Sequence, residues 1–135
     1  MAKAAQSKDL RGAFLKHERE TLGQVKRLER VFKLIGTPAR GKACEAINGI
    51  TAEGAEIMKE YKKMPALDAG LLAAAQAVEH YEISRYGTLK AWAEKLGYGE
   101  AASLFQATLQ EEEATDQALS EIAETAVNAE ADQAA

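Results

Sequence analysis

Residues 71–97 read LLAAAQAVEHYEISRYGTLKAWAEKLG. The stretch lacks proline, and its apolar residues recur at heptad spacing: Leu72, Ala75, Tyr86, Leu89, Ala93 and Leu96 share one seam. Glu79 and Glu82 interrupt that seam near its middle. The pattern predicts one helix over 68–96, with Asp68 as its N-cap and Gly97 as its C-terminal stop. A stripe that is apolar at both ends and acidic in between is suited to a bundle packed around a polar layer.

The neighbouring punctuation extends this reading. Gly36-Thr37-Pro38, the segment from Met64 to Asp68, and Gly97-Tyr98-Gly99 are turn signals, and they leave three more helical stretches, 8–35, 42–61 and 100–125. The three longest helices would each span about 40 Å. In the first, Leu10, Phe14, His17, Thr21, Gln24, Leu28, Val31 and Ile35 form the seam. In the last it is Ala101, Phe105, Thr108, Glu112, Thr115, Leu119 and Ile122. Each seam turns polar near its centre, and the interruptions fall at matching heights. The expected fold is all-α, a helical bundle over residues 1–125 with a short extra helix, followed by an acidic, frayed tail at 126–135.

Composition narrows the class. The 135 residues are 47% hydrophobic and 28% charged, with 28 alanines, 10 glycines and 2 prolines, too few turn formers for a β-sandwich or barrel. The net charge of −4 argues against non-specific nucleic-acid binding. No apolar run is long enough to span a bilayer, and MAKAAQSKDL lacks the apolar core of a signal peptide. With one cysteine, Cys44, read as a packing residue, the chain fits a reducing cytoplasm. Residues 1–35 hold nine Lys/Arg against four Asp/Glu, while 100–135 hold nine Asp/Glu and no Lys or Arg. A basic first helix is therefore expected beside an acidic last one, within the chain or across a dimer.

Unpaired carboxylates in a helical core cost several kcal/mol each, so the polar layer needs a counter-charge. A metal pair is one solution, because bundles gather Glu and His ligands from facing helices, often three residues apart. His17 and Glu20 have that spacing, Glu79 and Glu82 repeat it, and Glu112 adds a carboxylate from the last helix. Mostly hard oxygen donors with one imidazole suit iron or manganese. The alternatives are a hydrogen-bonded core histidine at 17, ion pairs of Glu79 and Glu82 with Arg85 or with basic residues of the first helix, and a solvated face at Glu111–Glu113. His80 reads as a residue just outside the layer, and Tyr81 and Tyr86 as packing groups whose hydroxyls find polar partners. Phosphate-loop, dinucleotide and nucleophile-elbow motifs are absent from the sequence.

FLKHERETLGQVKRLERVFKLIG, RGKACEAINGITAEGAEIMKE, the 71–97 stretch and LFQATLQEEEATDQALSEIA resemble the YciE/YciF-type bacterial stress proteins over about residues 1–125. The resemblance implies a ferritin-like four-helix bundle, up-down with a long crossover, similar to rubrerythrin and bacterioferritin. It also implies a homodimer or higher homo-oligomer, a stress-response role, and at most a weak diiron-type oxidase or peroxidase activity. Family members begin with a long helix carrying a metal-binding Glu. Residues 1–5 look like the tail of that helix, so most of it is expected to be absent here. The expectation is a fragment, a start at an internal methionine, or a gap filled by a partner subunit. The Glu-x-x-His pair typical of the last helix is also missing, since Thr115 stands three residues after Glu112. Two functions from different classes follow: a carboxylate/His centre holding Fe or Mn through His17, Glu20, Glu79, Glu82 and Glu112, or a metal-free helical dimerisation module.

Overall fold

Ser7 opens the first helix by accepting the Leu10 N–H on its side chain at 3.3 Å, so α1 runs Lys8–Leu34. The computed structural model describes residues 1–132, and the described chain is all-α. The other elements are α2 (Glu45–Glu60), α3 (Leu67–Lys95) and α4 (Gly99–Ile122). Gly36 and Gly97, at φ 68° and 79°, take the left-handed conformation that closes α1 and α3. Thr37 N–H reaches the Phe32 carbonyl and Tyr98 N–H the Ala93 carbonyl, satisfying helix-end acceptors. All four helices of the sequence reading are present with nearly the expected limits.

Two local expectations change. Asp68 is not the cap of α3, because the residue before the helix is Ala66. Its buried carboxylate instead accepts the N–H groups of Gln6 (2.9 and 3.1 Å to its two oxygens) and Ser7 (2.6 Å), anchoring the positive start of α1. The second change is at the expected tail. The helix continues past residue 125 through a π-helical turn, Ala123–Val127, into α5 (Asn128–Asp132). Val127 is buried and holds this extension to the bundle. Residues 133–135 of the expected tail lie outside the described residues.

Cross-helix contacts define the topology. His17 meets Thr115, Gln24 meets Glu112 and Arg30 meets Glu100, so α1 and α4 are antiparallel. Gln76 contacts Ser120 and Tyr86 packs on Phe105, so α3 also runs antiparallel to α4. The short α2 lies antiparallel along α3, with Cys44 near Tyr81 and Ile57 against Gly70. The basic helix does pack beside the acidic one, joined by the Arg27–Glu111 and Arg30–Glu100 pairs.

The core is divided in two. One apolar half centres on Leu10, Leu71, Leu72 and Leu119, with Ala5 from the N-terminal turn. The other centres on Val31, Tyr86, Ala101 and Phe105. Gln24, Glu79, Thr108, Glu112 and Thr115 are the buried polar residues between them. The α1 and α3 seams leave the core at their C-terminal ends, where Ile35 is 36% and Leu96 72% exposed. A 3.5-residue seam drifts around a 3.6-residue helix by about 20° per heptad, which accounts for the departure.

Candidate metal centre

The polar layer is assembled by three helices, each contributing its mid-seam residues. His17 comes from α1, Glu79 and Glu82 from α3, and Glu112 from α4. One ligand-type atom from each of the four lies within 4.8 Å of the others. His17 Nε2 is 3.4 Å from Glu79 Oε1 and 3.7 Å from Glu112 Oε2. Glu112 is fully buried and Glu79 nearly so, while His17 and Glu82 are partly covered.

The imidazole is oriented from behind. Thr115 Oγ1 lies 3.2 Å from His17 Nδ1. With Nδ1–H donating to that hydroxyl, the Nε2 lone pair faces the carboxylates, the arrangement a metal-ligating histidine requires. Thr115, which replaces the second half of a Glu-x-x-His pair, therefore serves the site by holding its histidine.

Burial and crowding set the electrostatics. Burial raises the Glu79 pKa far above the ordinary carboxylate range, and the neighbouring Glu112 and Glu82 carboxylates raise it further. Glu82 is pushed up to about 7, first by burial and then by Glu112. Tyr86, one turn beyond Glu82, rises to about 12 through burial and the same two carboxylates. Glu111 moves the other way, because the Arg27 guanidinium holds its carboxylate. The site thus concentrates potential negative charge, and among the described residues no Lys or Arg pairs with Glu79, Glu82 or Glu112.

Among the described residues, Glu79 Oε2 and Glu112 Oε2 are buried without a hydrogen-bond partner. Buried oxygens are rarely left so, and two such carboxylates beside an imidazole fit a cation with hard-ligand preference. Three carboxylates and one imidazole suit iron or manganese. The residues present therefore fit such a metal.

Of the five residues singled out in the sequence, the structure brings four together. Glu20 lies apart from the four, pairing through Oε1 with Lys16 at 2.7 Å, while its Oε2 is also buried and unpartnered. Arg85 does not take Glu79 or Glu82; it sits over the Tyr81 ring at 4.9 Å. His80 is on the outer surface, 3.1 Å from Asp116. Cys44 is no packing residue of the short helix. It is the residue preceding α2, partly exposed, with Sγ 3.0 Å from the Tyr81 hydroxyl. Sequence reasoning missed the Arg27–Glu111 pair and the part played by Thr115, since pairing across helices leaves no periodic trace.

Comparison with known proteins agrees with this architecture. A family model described as a domain of unknown function, DUF892, matches residues 1–132. Protein YciF of Escherichia coli K12 is 41% identical over 133 residues, covering 98% of this chain and 80% of YciF. The crystal structure of the E. coli stress protein YciF superposes with a TM-score of 0.88 at 42% identity, covering 94% of this chain and 80% of that one. YcfI from Rhodopseudomonas palustris superposes at 0.84, also 42% identical, covering 88% and 76%. With the family model spanning nearly the whole chain and the three-helix polar layer set in the same bundle fold, this chain belongs to the DUF892 family and is a YciF-like helical bundle.

Proposed function

We propose that this chain binds a hard transition-metal ion, iron or manganese, in the polar layer of its bundle. The observation that carries the reading is the convergence of His17, Glu79, Glu82 and Glu112 with two buried, unpartnered carboxylate oxygens. In this reading His17 Nε2 and the three carboxylates hold the ion, with Thr115 fixing the imidazole. Glu20 stands one turn away as a candidate further ligand, its buried Oε2 free of hydrogen bonds. Bound iron would supply one-electron redox chemistry to an oxidant such as peroxide. The carboxyls of Glu79 and Glu82 give up their protons when the cation arrives, because ligation requires the ionised form. A stress-response role, like that of the E. coli stress protein YciF, is part of the same proposal.

The direct test is elemental analysis of protein purified without chelator. Iron or manganese in stoichiometric amount, lost in a His17→Ala/Glu112→Gln double variant, is the expected result. Equal, trace metal in both proteins would overturn the reading.

A second reading rests on a separate observation. Leu15, Leu22 and Val25 on α1 are 41%, 62% and 50% exposed. Large apolar side chains grouped on one face are a mark of association. We propose that this face of α1 is covered in a homodimer, the assembly a self-complementary patch produces. Light scattering at micromolar concentration should give twice the 14.6 kDa chain mass, falling to the monomer in Leu22→Glu/Val25→Glu. A monomer in the unmodified protein would refute it. Among the described residues no helix is long and apolar enough to cross a membrane.

A further inference from the structure

Gln24 is buried in the polar layer beside the four candidate ligands. Its carboxamide Nε2 donates to Glu112 Oε1 and, at 3.2 Å, to Glu111 Oε2. Glu111 is itself gripped by both terminal nitrogens of Arg27, at 2.5 and 2.6 Å. The chain Arg27–Glu111–Gln24–Glu112 therefore runs from the partly exposed edge of the α1–α4 interface into the site.

Each link restricts the next. Because both neighbours of the amide nitrogen are acceptors, the carboxamide has one orientation that satisfies them. Arg27 neutralises Glu111 and withdraws it from competition for a cation. The donated hydrogen bond fixes Glu112 Oε1, so the second oxygen, Oε2, is the one turned toward His17, buried and unpartnered. A carboxylate already held in its binding rotamer loses less conformational freedom when it takes a ligand.

The residue type matters as well. Lysine here would neutralise Glu112 and compete with the metal, and glutamate would add a further charge to repel it. An amide holds the carboxylate while leaving its charge available.

We propose that Gln24 is a positioning residue for the metal centre: it orients Glu112 through Oε1 and presents Oε2 as a one-oxygen ligand. The inference rests on the metal-binding reading above. Outer hydrogen bonds of this kind typically contribute 10- to 100-fold to metal affinity.

The test compares the full chain with Gln24→Met, which keeps the side-chain length and removes the donor. Calorimetric titration with Mn²⁺ should show affinity weakened about 10- to 100-fold. The visible absorption of bound Co²⁺, which reports ligand arrangement, should shift in position or intensity. A role in packing alone would change the melting temperature and leave the Co²⁺ spectrum where it is. Should Gln24→Met lose its cooperative melt, the unmodified protein supplies the same information. Its Gln24 side-chain amide protons, followed by ¹⁵N NMR, should exchange slowly and move on adding diamagnetic Zn²⁺. Equal Mn²⁺ affinity with an unchanged Co²⁺ spectrum, or amide protons indifferent to Zn²⁺, overturns the positioning role while the metal-binding reading stands. Failure of the unmodified protein to take up Mn²⁺, Co²⁺ or Zn²⁺ overturns both.

Discussion

Adding Mn²⁺, or Fe²⁺ under anaerobic conditions, at a hundredfold excess over its dissociation constant should stabilise the folded protein by about 2.7 kcal/mol, since the ligand set exists only in the fold. For a chain of this size that corresponds to a rise of roughly 8–10 °C in melting temperature. Glu79→Gln and Glu112→Gln should each abolish most of the gain, because each removes a buried anionic ligand while keeping its shape. In metal-free protein at pH 8 the expected sign for Glu79→Gln is the reverse: the variant melts higher than the parent. The amide removes a carboxyl whose ionisation is opposed by burial, by Glu112 and by Glu82. A site that serves packing alone makes the opposite forecast, with no response to metal in the parent and a plain loss of stability in both variants. Thermal melts of the three proteins, with chelator and with each metal, separate the two cases. A parent melting curve unmoved by both ions would sink the metal-binding proposal.

The second large effect is the pH dependence of the metal-free protein. Glu82 has a pKa of about 7 in the folded chain against 4.5 for the unperturbed group, and Glu79 is raised as well. Between those values the folded state holds more protons than the unfolded chain, so stability declines as pH rises. The Glu82 displacement acts as a penalty that is fully present above pH 7 and absent below about 4.5. Glu79 adds to the loss and carries it to higher pH. Glu111 contributes with the other sign: held down by Arg27, its stabilisation is lost as pH falls through the acid range. Stability of the metal-free protein should therefore peak on the weakly acidic side. Urea unfolding in chelator should give a lower midpoint at pH 8 than at pH 5.5. Saturating metal should reverse the slope, because ligation needs the deprotonated carboxylates. A metal-free midpoint that climbs from pH 5.5 to 8 would show that these carboxyls are well solvated or paired, contrary to their burial.

Periodicity in the sequence was enough to place the helices and the polar layer. The seams of α1, α3 and α4 are local patterns, read within one helix at a time. Hydrophobic burial forces each apolar stripe inward, so His17, Glu79, Glu82 and Glu112 had to enter the core at similar heights. Helix ends followed for the same local reason, with Gly36 and Gly97 taking the left-handed turn that other residues resist.

Distances across helices have no such local signature. Arg27 and Glu111 are 84 residues apart in the chain, and Gln24 and Glu112 are 88 apart. Nothing in either segment alone marks them as partners. Asp68 reads as the cap of its own helix, yet the packing of α3 turns its carboxylate to the start of α1, where two N–H groups lack intrahelical partners. Glu20 and Glu79 read equally well as ligands at i, i+3 spacing. Glu20 takes a local partner one turn back on its own helix, Lys16, whereas the rotation of α1 against α3 brings His17 to Glu79. Local periodicity chooses which face of a helix is buried. The rotation and register at which buried faces meet, governed by side-chain interlocking over the whole bundle, choose which atoms touch.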